Sequence, residues 1–198
     1  MTPSPTGSDR PTLSLDLDGV LARPPFGRNP SANRDTSLLP MPGLPPGRRR
    51  PPGNIWDRLL GMTYFRLRYR ARSAMPGAAD LVRAAAVQHR VVVITARNWR
   101  GRSATLAWLH RAGLFDHIDE LICNDTGLPP PQFKAWAVAE HGVQRHVEDD
   151  PATAALVARL DVAVDLIDWP WNRELDYPPA VTRHANLSAL AVDLRRPR

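Results

Sequence analysis

The chain has 198 residues, 43% of them hydrophobic and 23% charged, with one cysteine and a formal net charge of +6. This length allows one hydrophobic core with a small insertion, the single cysteine excludes an internal disulfide, and no apolar run approaches the ~20 residues that span a bilayer. Because the first residues lack the apolar stretch of a secretory signal, we expect a globular protein in the cytoplasm.

The basic residues are almost all arginine. Lys134 is the one lysine among the 26 Lys and Arg residues. A positive balance favours anionic partners, with phosphorylated small molecules the first expectation and nucleic acid the second. A position that keeps lysine in such a chain either requires a compact ammonium group or is a matter of chance.

The first predicted strand ends at two aspartates. Residues 1–11 are expected to be disordered, and residues 13–17 form a short apolar strand that runs into Asp16 and Asp18. A buried carboxylate pair needs a cation, a proton or a substrate to balance its charge. The alternative is a plain turn in which Asp18 and Gly19 reverse the chain.

A segment rich in proline and arginine follows, and it predicts a small cap at residues 23–74, inserted after the first strand. Its stretch LPMPGLPPGRRRPPGN is expected to be an exposed loop, and Asn54 is expected to cap a helix that runs to about Ser73. The aromatic residues of this helix either stack on a ligand or pack the cap onto the core; they are Trp56, Tyr64 and Phe65. Its arginines either face a phosphate or are solvated; they are Arg66, Arg68, Arg70 and Arg72.

Helices and apolar strands alternate regularly in the rest of the chain. In chain order the predicted elements are a helix at 78–89, a strand at 91–95, a helix at 102–112, a strand at 120–123, a helix at 132–141, a strand at 144–148, a helix beginning at Pro151 and a strand at 162–167. This pattern is typical of a parallel sheet covered on both sides. We therefore predict an α/β fold of three layers, an open parallel sheet built from residues 12–22 and 75–198.

Ligands of such sheets bind at the carboxyl ends of the strands, so the polar residues that end apolar strands are the candidate site. They are Asp16, Asp18, Thr95, Asp149 and Asp150, and Lys134 is placed to project towards the same edge from the start of a helix.

In order along the chain, these residues resemble the four motifs of the haloacid dehalogenase (HAD) superfamily of phosphatases, whose fold is a Rossmann-like sheet. DLDGV is similar to the first motif, Thr95 to the second, Lys134 to the third, and the acids of HVEDD to the fourth. The resemblance extends over nearly the whole chain. It implies phosphoryl transfer through an aspartyl-phosphate, with Asp16 as the nucleophile and Asp18 as the general acid and base.

The same resemblance implies the remaining site residues. The Thr95 hydroxyl and the Lys134 ammonium would hold the substrate phosphate. Ala96 and Arg97, which directly follow the second motif at a strand end, are further candidates for contact with the substrate. Mg²⁺, which prefers hard oxygen ligands, would be bound by Asp16, the main-chain carbonyl of Asp18, and Asp149.

The fourth motif has three consecutive acids. Glu148, Asp149 and Asp150 cannot all point to one place from an extended strand. We take Asp149 as the direct metal ligand and expect Glu148 or Asp150 behind it. For Asp150 the alternative is to cap the helix that Pro151 begins.

A narrower resemblance is to the 5'-deoxyribonucleotidase branch, carried by MPGAADLVRAA, VEDDP and DWPWNREL. It implies that the last of these segments, with Trp169, Trp171, Asn172 and Arg173, lies at the rim of the active site. We expect a Mg²⁺-dependent phosphatase, with nucleoside 5'-monophosphates as substrates. The alternatives are an enzyme acting on phosphorylated nucleic-acid ends and a non-catalytic binding protein with the same fold.

Overall fold

The computed structural model describes residues 10–24, 40–41 and 72–196, and this part of the chain contains one six-stranded sheet. The strands are β1 Thr12–Leu15, β2 Arg90–Asn98, β3 Glu120–Asn124, β4 Val143–Glu148, β5 Ala163–Ile167 and β6 Val181–His184. The helices are α1 Ala78–Gln88, α2 Arg102–Arg111, α3 Pro130–Glu140, α4 Pro151–Ala158 and α5 Leu187–Leu194.

The sheet is parallel throughout, with the strand order β3-β2-β1-β4-β5-β6. The chain moves outwards in one direction from β1 to β3 and then returns to the other side of β1 for β4. The carboxyl end of β1 is therefore the point at which the strand order switches, where open α/β sheets bind their ligands. The predicted α/β fold with an open parallel sheet is confirmed.

Both faces of the sheet are buried around β2, which explains why its run Val91–Ile94 lacks a polar face. In β2, Val91 and Val93 belong to the core that α1, α2 and α5 cover, whereas Val92 and Ile94 belong to the core under α3 and α4. Side chains alternate between the two faces of a strand, so a strand between two helical layers must be apolar at consecutive positions.

The helices and strands predicted after residue 75 are present, with ends shifted by up to three residues. Gly113 and Gly142 follow α2 and α3 with φ of +67° and +57°, the left-handed conformation that commonly ends a helix. The structure adds two elements that the sequence analysis did not predict, β6 and α5. Among the described residues, no helix is both long enough and apolar enough to cross a membrane.

The two ends of the predicted cap meet at the edge of the core. The Arg23 N–H donates to the Ser73 carbonyl at 2.9 Å, and the Met75 N–H donates to the Leu21 carbonyl at 2.8 Å. Of the predicted cap, the structure describes residues 23–24, 40–41 and 72–74. The aromatic residues and all but the last two positions of the predicted helix lie outside these ranges, and Arg72 and Ser73 at its expected end are not helical. The assignment of the cap stays a prediction, as does the disorder expected at the N-terminus.

Candidate active site

Asp16 lies at the switch point of the sheet, directly after β1. Its main-chain N–H donates to the Val147 carbonyl of β4 at 2.9 Å, which ties the first residue after β1 to the neighbouring strand. Only 3% of the residue is exposed. A carboxylate buried to this extent needs positive charge close by.

Lys134 provides that charge from α3. Its Nζ lies 2.9 Å from Asp16 Oδ1 and donates to both carboxylate oxygens of Glu148, at 3.0 and 2.8 Å. The helix begins with Pro130 and Pro131, residues that suit the first turn because their missing N–H groups would have no partner inside the helix. One ammonium group thus bridges the first residue after β1 and the last residue of β4.

The pKa values reflect one buried cation shared by two carboxylates. The pKa of Asp16 is raised to about 7, because burial together with the negative charges of Glu148 and Asp18 outweighs the opposing charge of Lys134. Burial also raises the pKa of Glu148, but Lys134 and the hydrogen bond from His146 outweigh it and leave the pKa below its usual 4.5. The charges of Asp16 and Glu148 overcome the effect of burial on Lys134 and raise its pKa. Negative charge therefore exceeds positive charge at this point.

Three buried acids form a cluster suited to a hard cation. One carboxylate oxygen each from Asp16, Glu148 and Asp149 can be chosen so that all three lie within 4.8 Å of one another. An all-oxygen donor set with an excess of negative charge fits Mg²⁺. Asp16 and Asp149, both predicted ligands, lie in this cluster. Glu148 lies in the same cluster; the sequence analysis expected either Glu148 or Asp150 behind the direct ligand.

The three consecutive acids of the fourth motif have separate roles. The Asp150 carboxylate accepts hydrogen bonds from the Thr153 N–H at 2.9 Å and the Thr153 hydroxyl at 2.7 Å, so Asp150 caps α4, the alternative considered above. Glu148 Oε1 accepts the main-chain N–H groups of Asp149 and Asp150 at 3.0 and 3.1 Å. Glu148 therefore organises the loop that carries Asp149.

Asp18 pairs with arginine. Arg97 Nε and Nη2 donate to the two carboxylate oxygens of Asp18 at 2.7 and 2.6 Å, and Arg72 pairs with the same carboxylate. Burial raises the pKa of Asp18, but the hydrogen bond and charge of Arg97, with the charge of Arg72, outweigh it and hold the pKa below 3.8. Asp18 is thus ionised, and Arg97 binds a carboxylate of the protein.

Thr95 and Ala96 lie in the carboxyl-terminal half of β2, the strand next to β1. Because Leu15 of β1 is opposite Val93, Thr95 is close to the level of Asp16 on the neighbouring strand. The Arg97 N–H donates to Thr95 Oγ1 at 3.3 Å. Ala96 lines a cavity of about 280 Å³ between the ends of β2 and β3, together with Asn98, Trp99, Arg100, Asn124, Asp125 and Gly127.

Sequence reasoning missed a polar pair beneath the site. Ser14 Oγ and His146 Nδ1 are 2.7 Å apart, and His146 Nε2 lies 3.1 Å from Glu148 Oε2, with all three side chains buried. Since Glu148 is ionised, Nε2 donates to it, and Ser14 Oγ and Nδ1 share the other hydrogen bond. Two-residue spacing was the available signal, because it places His146 and Glu148 on one face of β4.

The segment DWPWNREL does reach the site. The indole N–H of Trp169 donates to the Gly19 carbonyl at 3.0 Å, and that of Trp171 donates to the Asp149 carbonyl at 3.2 Å. The Asn172 amide also donates to the Asp149 carbonyl, at 2.9 Å. Arg173 is turned outwards and pairs with Asp168.

Neither a family model nor a curated protein matches the chain. Its likeness to known proteins is structural. A haloacid dehalogenase-like hydrolase from Streptococcus pneumoniae has a TM-score of 0.56 at 15% identity, with 94% of this chain and 99% of that chain covered. For CbbY from Rhodobacter sphaeroides, solved in complex with phosphate, the TM-score is 0.58 at 16% identity, with coverage of 91% and 96%.

A third similar structure is a chain of the Pnkp1/Rnl/Hen1 RNA repair complex, with a TM-score of 0.51 at 17% identity. The match covers 83% of this chain and 44% of that chain. Identities this low show the fold alone. The protein therefore has the HAD-type α/β fold, and the function of its site has to be argued from the residues it contains.

Proposed function

We propose that the protein is a Mg²⁺-dependent phosphomonoester hydrolase that works through an aspartyl-phosphate on Asp16. The observation that carries the proposal is the position of Lys134, whose ammonium bridges Asp16 and Glu148 beside Asp149 at the switch point of the sheet. Phosphoryl transfer requires a nucleophile and fixed positive groups to offset charge on the phosphoryl oxygens, and this cluster offers both a carboxylate and sites for cations.

The reaction has two halves. In the first, a carboxylate oxygen of Asp16 attacks phosphorus, the bond from phosphorus to the ester oxygen breaks, and the leaving oxygen takes a proton. In the second, water attacks the aspartyl-phosphate, which releases inorganic phosphate and restores Asp16. Mg²⁺ held by Asp16 and Asp149, with the Asp18 carbonyl as the predicted further ligand and Glu148 hydrogen-bonded behind them, would offset charge on the phosphoryl oxygens.

Asp18 is the proposed proton carrier. The ionised form that Arg97 favours suits the second half of the reaction, in which a base takes a proton from water. In the first half the same carboxyl has to carry a proton, so catalysis requires Asp18 to separate from Arg97 when the substrate is bound. A phosphate group beside Thr95 and Ala96 is an alternative anionic partner for the Arg97 guanidinium.

The proposed substrates are nucleoside 5'-monophosphates, and the proposed compartment is the cytoplasm. The net charge of +6 favours an anionic ligand, and the cavity beside Ala96 is lined by the Trp99 ring with the Arg100 guanidinium 5.8 Å from its centre. A flat aromatic surface beside a cation suits a ligand with a base and a phosphate.

The test is a panel of phosphate esters, with kcat/KM obtained from released phosphate. We expect nucleoside 5'-monophosphates to be hydrolysed better than sugar phosphates or phosphoserine. Removal of the loop from Pro40 to Pro52 should change this ranking more than the rate with a small aryl phosphate. Sugar phosphates that exceed every nucleotide would refute the nucleotidase proposal alone. Preference for 5'-phosphorylated oligonucleotides would favour the nucleic-acid alternative, and no turnover of any ester would favour a binding protein.

A further inference from the structure

The main-chain carbonyl of Asp149 is held by two donors from outside its own loop. It accepts the Asn172 side-chain N–H at 2.9 Å and the Trp171 indole N–H at 3.2 Å. Rotation of this peptide group would break both hydrogen bonds in a buried environment, where unmade bonds are costly. The two donors therefore restrict the direction in which the Asp149 side chain leaves the main chain.

Asn172 is itself fixed by its surroundings. The residue is fully buried, and its amide nitrogen also donates to the Ile167 carbonyl at 2.8 Å. Its Oδ1 accepts hydrogen bonds from the main-chain N–H of Trp169 and from Arg183 Nη1, both at 3.0 Å. Four hydrogen bonds match the capacity for two donated and two accepted bonds, and a flipped amide would place its NH₂ against two donors. Asn172 thus has one orientation, with its donors towards Asp149.

The same segment also reaches the loop that carries the candidate nucleophile. The rings of Trp169 and Trp171 stack with centres 4.5 Å apart and an angle of 12°, and Trp169 donates to the Gly19 carbonyl at 3.0 Å. Gly19 packs so closely against Asp149 that a Cβ on the glycine would lie 2.2 Å from the Asp149 carboxyl carbon. Both indole N–H groups therefore bind the main chain of the two loops that form the site.

We propose that Asn172 and Trp171 are positioning residues for the metal site, which orient Asp149 towards Asp16 and Glu148. The inference rests on the proposed function, since it concerns the affinity of the same acidic cluster for Mg²⁺. Side chains that orient a metal ligand change affinity although they never touch the ion. Neither residue touches the substrate phosphate in this account.

The test measures Mg²⁺ binding to the full chain by isothermal titration calorimetry, together with kcat at saturating Mg²⁺. Asn172→Asp keeps the volume and the accepting oxygen, but it replaces the NH₂ group, which donates to the Asp149 and Ile167 carbonyls, with an oxygen that repels them. This variant should raise the Kd for Mg²⁺ by about 10- to 100-fold. Trp171→Phe removes one N–H and should raise this Kd by about fivefold. Both variants should recover much of their activity as Mg²⁺ is increased.

Tyr177→Phe is the matched control. The Tyr177 hydroxyl donates to the main-chain carbonyl of Asn172 at 3.0 Å, so its loss removes one hydrogen bond at the same residue without affecting the donors to Asp149. It should lower the thermal unfolding midpoint by less than Trp171→Phe, which also loses ring volume and stacking, and leave the Kd for Mg²⁺ unchanged. If Asn172→Asp does not fold, the comparison of Trp171→Phe with Tyr177→Phe decides.

Two results would overturn the inference alone. One is a Kd for Mg²⁺ at the wild-type value in Trp171→Phe and in folded Asn172→Asp. The other is an equal loss of Mg²⁺ affinity in Tyr177→Phe, which would show that any destabilisation of this segment weakens Mg²⁺ binding. Absence of Mg²⁺ binding by the wild-type chain would overturn the proposed function and this inference together.

Discussion

The Lys134 ammonium lies 2.9 Å from Asp16 Oδ1, although the two residues are 118 positions apart in the sequence. Both side chains are almost completely buried. A buried charge that loses its partner is strongly destabilising, so the ionised Asp16 depends on Lys134, whereas Lys134 also has Glu148 as a buried partner. Because Glu148 lies beside them, two carboxylates share one ammonium group, and we expect an additional cation to stabilise the cluster.

Lys134→Ala should therefore destabilise the fold and make its stability depend on Mg²⁺. Removal of the ammonium leaves three buried acids without their cation, at a cost of about 3–5 kcal/mol in the free energy of unfolding. Added Mg²⁺ should raise the thermal unfolding midpoint of the variant by more than that of the wild type. The loss in transition-state stabilisation should be about 2–4 kcal/mol, read from kcat/KM.

Lys134→Arg is the matched variant that keeps the charge. The planar guanidinium is larger than the ammonium and cannot take its place between Asp16 and Glu148, so we expect stability to be partly restored and activity to remain low. An arginine variant with full activity would show that any cation suffices at this position, contrary to the proposed role.

Gly19→Ala should disrupt the site through one methyl group. Gly19 has φ of +101°, and a Cβ there would lie 2.2 Å from the Asp149 carboxyl carbon and Oδ2. The carboxylate would have to move, so Mg²⁺ affinity and turnover should fall together. Gly113→Ala is the control, because its φ is +67° but nothing lies within 4 Å of the added Cβ.

The control should show the backbone cost without the clash. Gly113→Ala should destabilise the protein by about 1 kcal/mol, the cost of a left-handed alanine, and retain wild-type kcat. The measurement is kcat of Gly19→Ala and Gly113→Ala at saturating and at limiting Mg²⁺. Equal kcat values for the two variants under both conditions would contradict the close packing of Gly19 against Asp149.

A buried ion pair away from the site should make stability depend on pH. Asp165 Oδ1 accepts from Arg145 Nη2 and lies 2.8 Å from His184 Nε2. Burial raises the pKa of Asp165, but the hydrogen bonds from His184 and Arg145 outweigh it and hold the pKa below 3.8. The contribution of Asp165 is therefore complete above pH 3.8 and is lost as the pH falls through the lower folded-state value.

Denaturant unfolding of wild type and Asp165→Asn tests this expectation. The difference in unfolding free energy should be about 3 kcal/mol near pH 5, because Arg145 loses its buried partner, and it should narrow as the pH falls below the ordinary carboxyl value. Asp80→Asn is the control, since the Asp80–Arg83 pair is more than half exposed and should contribute under about 1 kcal/mol. A difference for Asp165→Asn that does not narrow at low pH would contradict the assignment.

β2 and β5 were predictable because strands buried on both faces are apolar at most consecutive positions, as VVVIT and VAVDLI are. β6 was not predictable in the same way. It is an edge strand with the sequence VTRH, of which Thr182 and Arg183 are exposed, so it lacks a continuous apolar run. α5 could have been predicted from the sequence, because Asn186 precedes an apolar stretch and is a residue type that favours the N-cap of a helix. In the structure the Asn186 side chain accepts a hydrogen bond from the Ala189 N–H.

Sequence indicated which residues gather at the site but not how they pair. Asp16, Lys134 and Asp149 follow from strand ends and the order of motifs, because the carboxyl ends of parallel strands share an edge. The pairing of Arg97 with Asp18 depends on tertiary geometry, since 79 positions separate them. Likewise, three consecutive acids look alike in sequence, and only the packing against Lys134 distinguishes Glu148 from Asp150.

Release of phosphate by the wild type and by Asp16→Asn, with Mg²⁺ and with a chelator, tests the central claim most directly. Because Lys134 keeps its two hydrogen bonds to Glu148 when Asp16 is replaced by a neutral residue of the same shape, the fold should tolerate Asp16→Asn, which circular dichroism would verify. We expect wild-type turnover of an aryl phosphate and of a nucleoside 5'-monophosphate with Mg²⁺, its loss with the chelator, and none from Asp16→Asn. Substantial turnover by folded Asp16→Asn, or wild-type turnover unaffected by the chelator, would contradict the account.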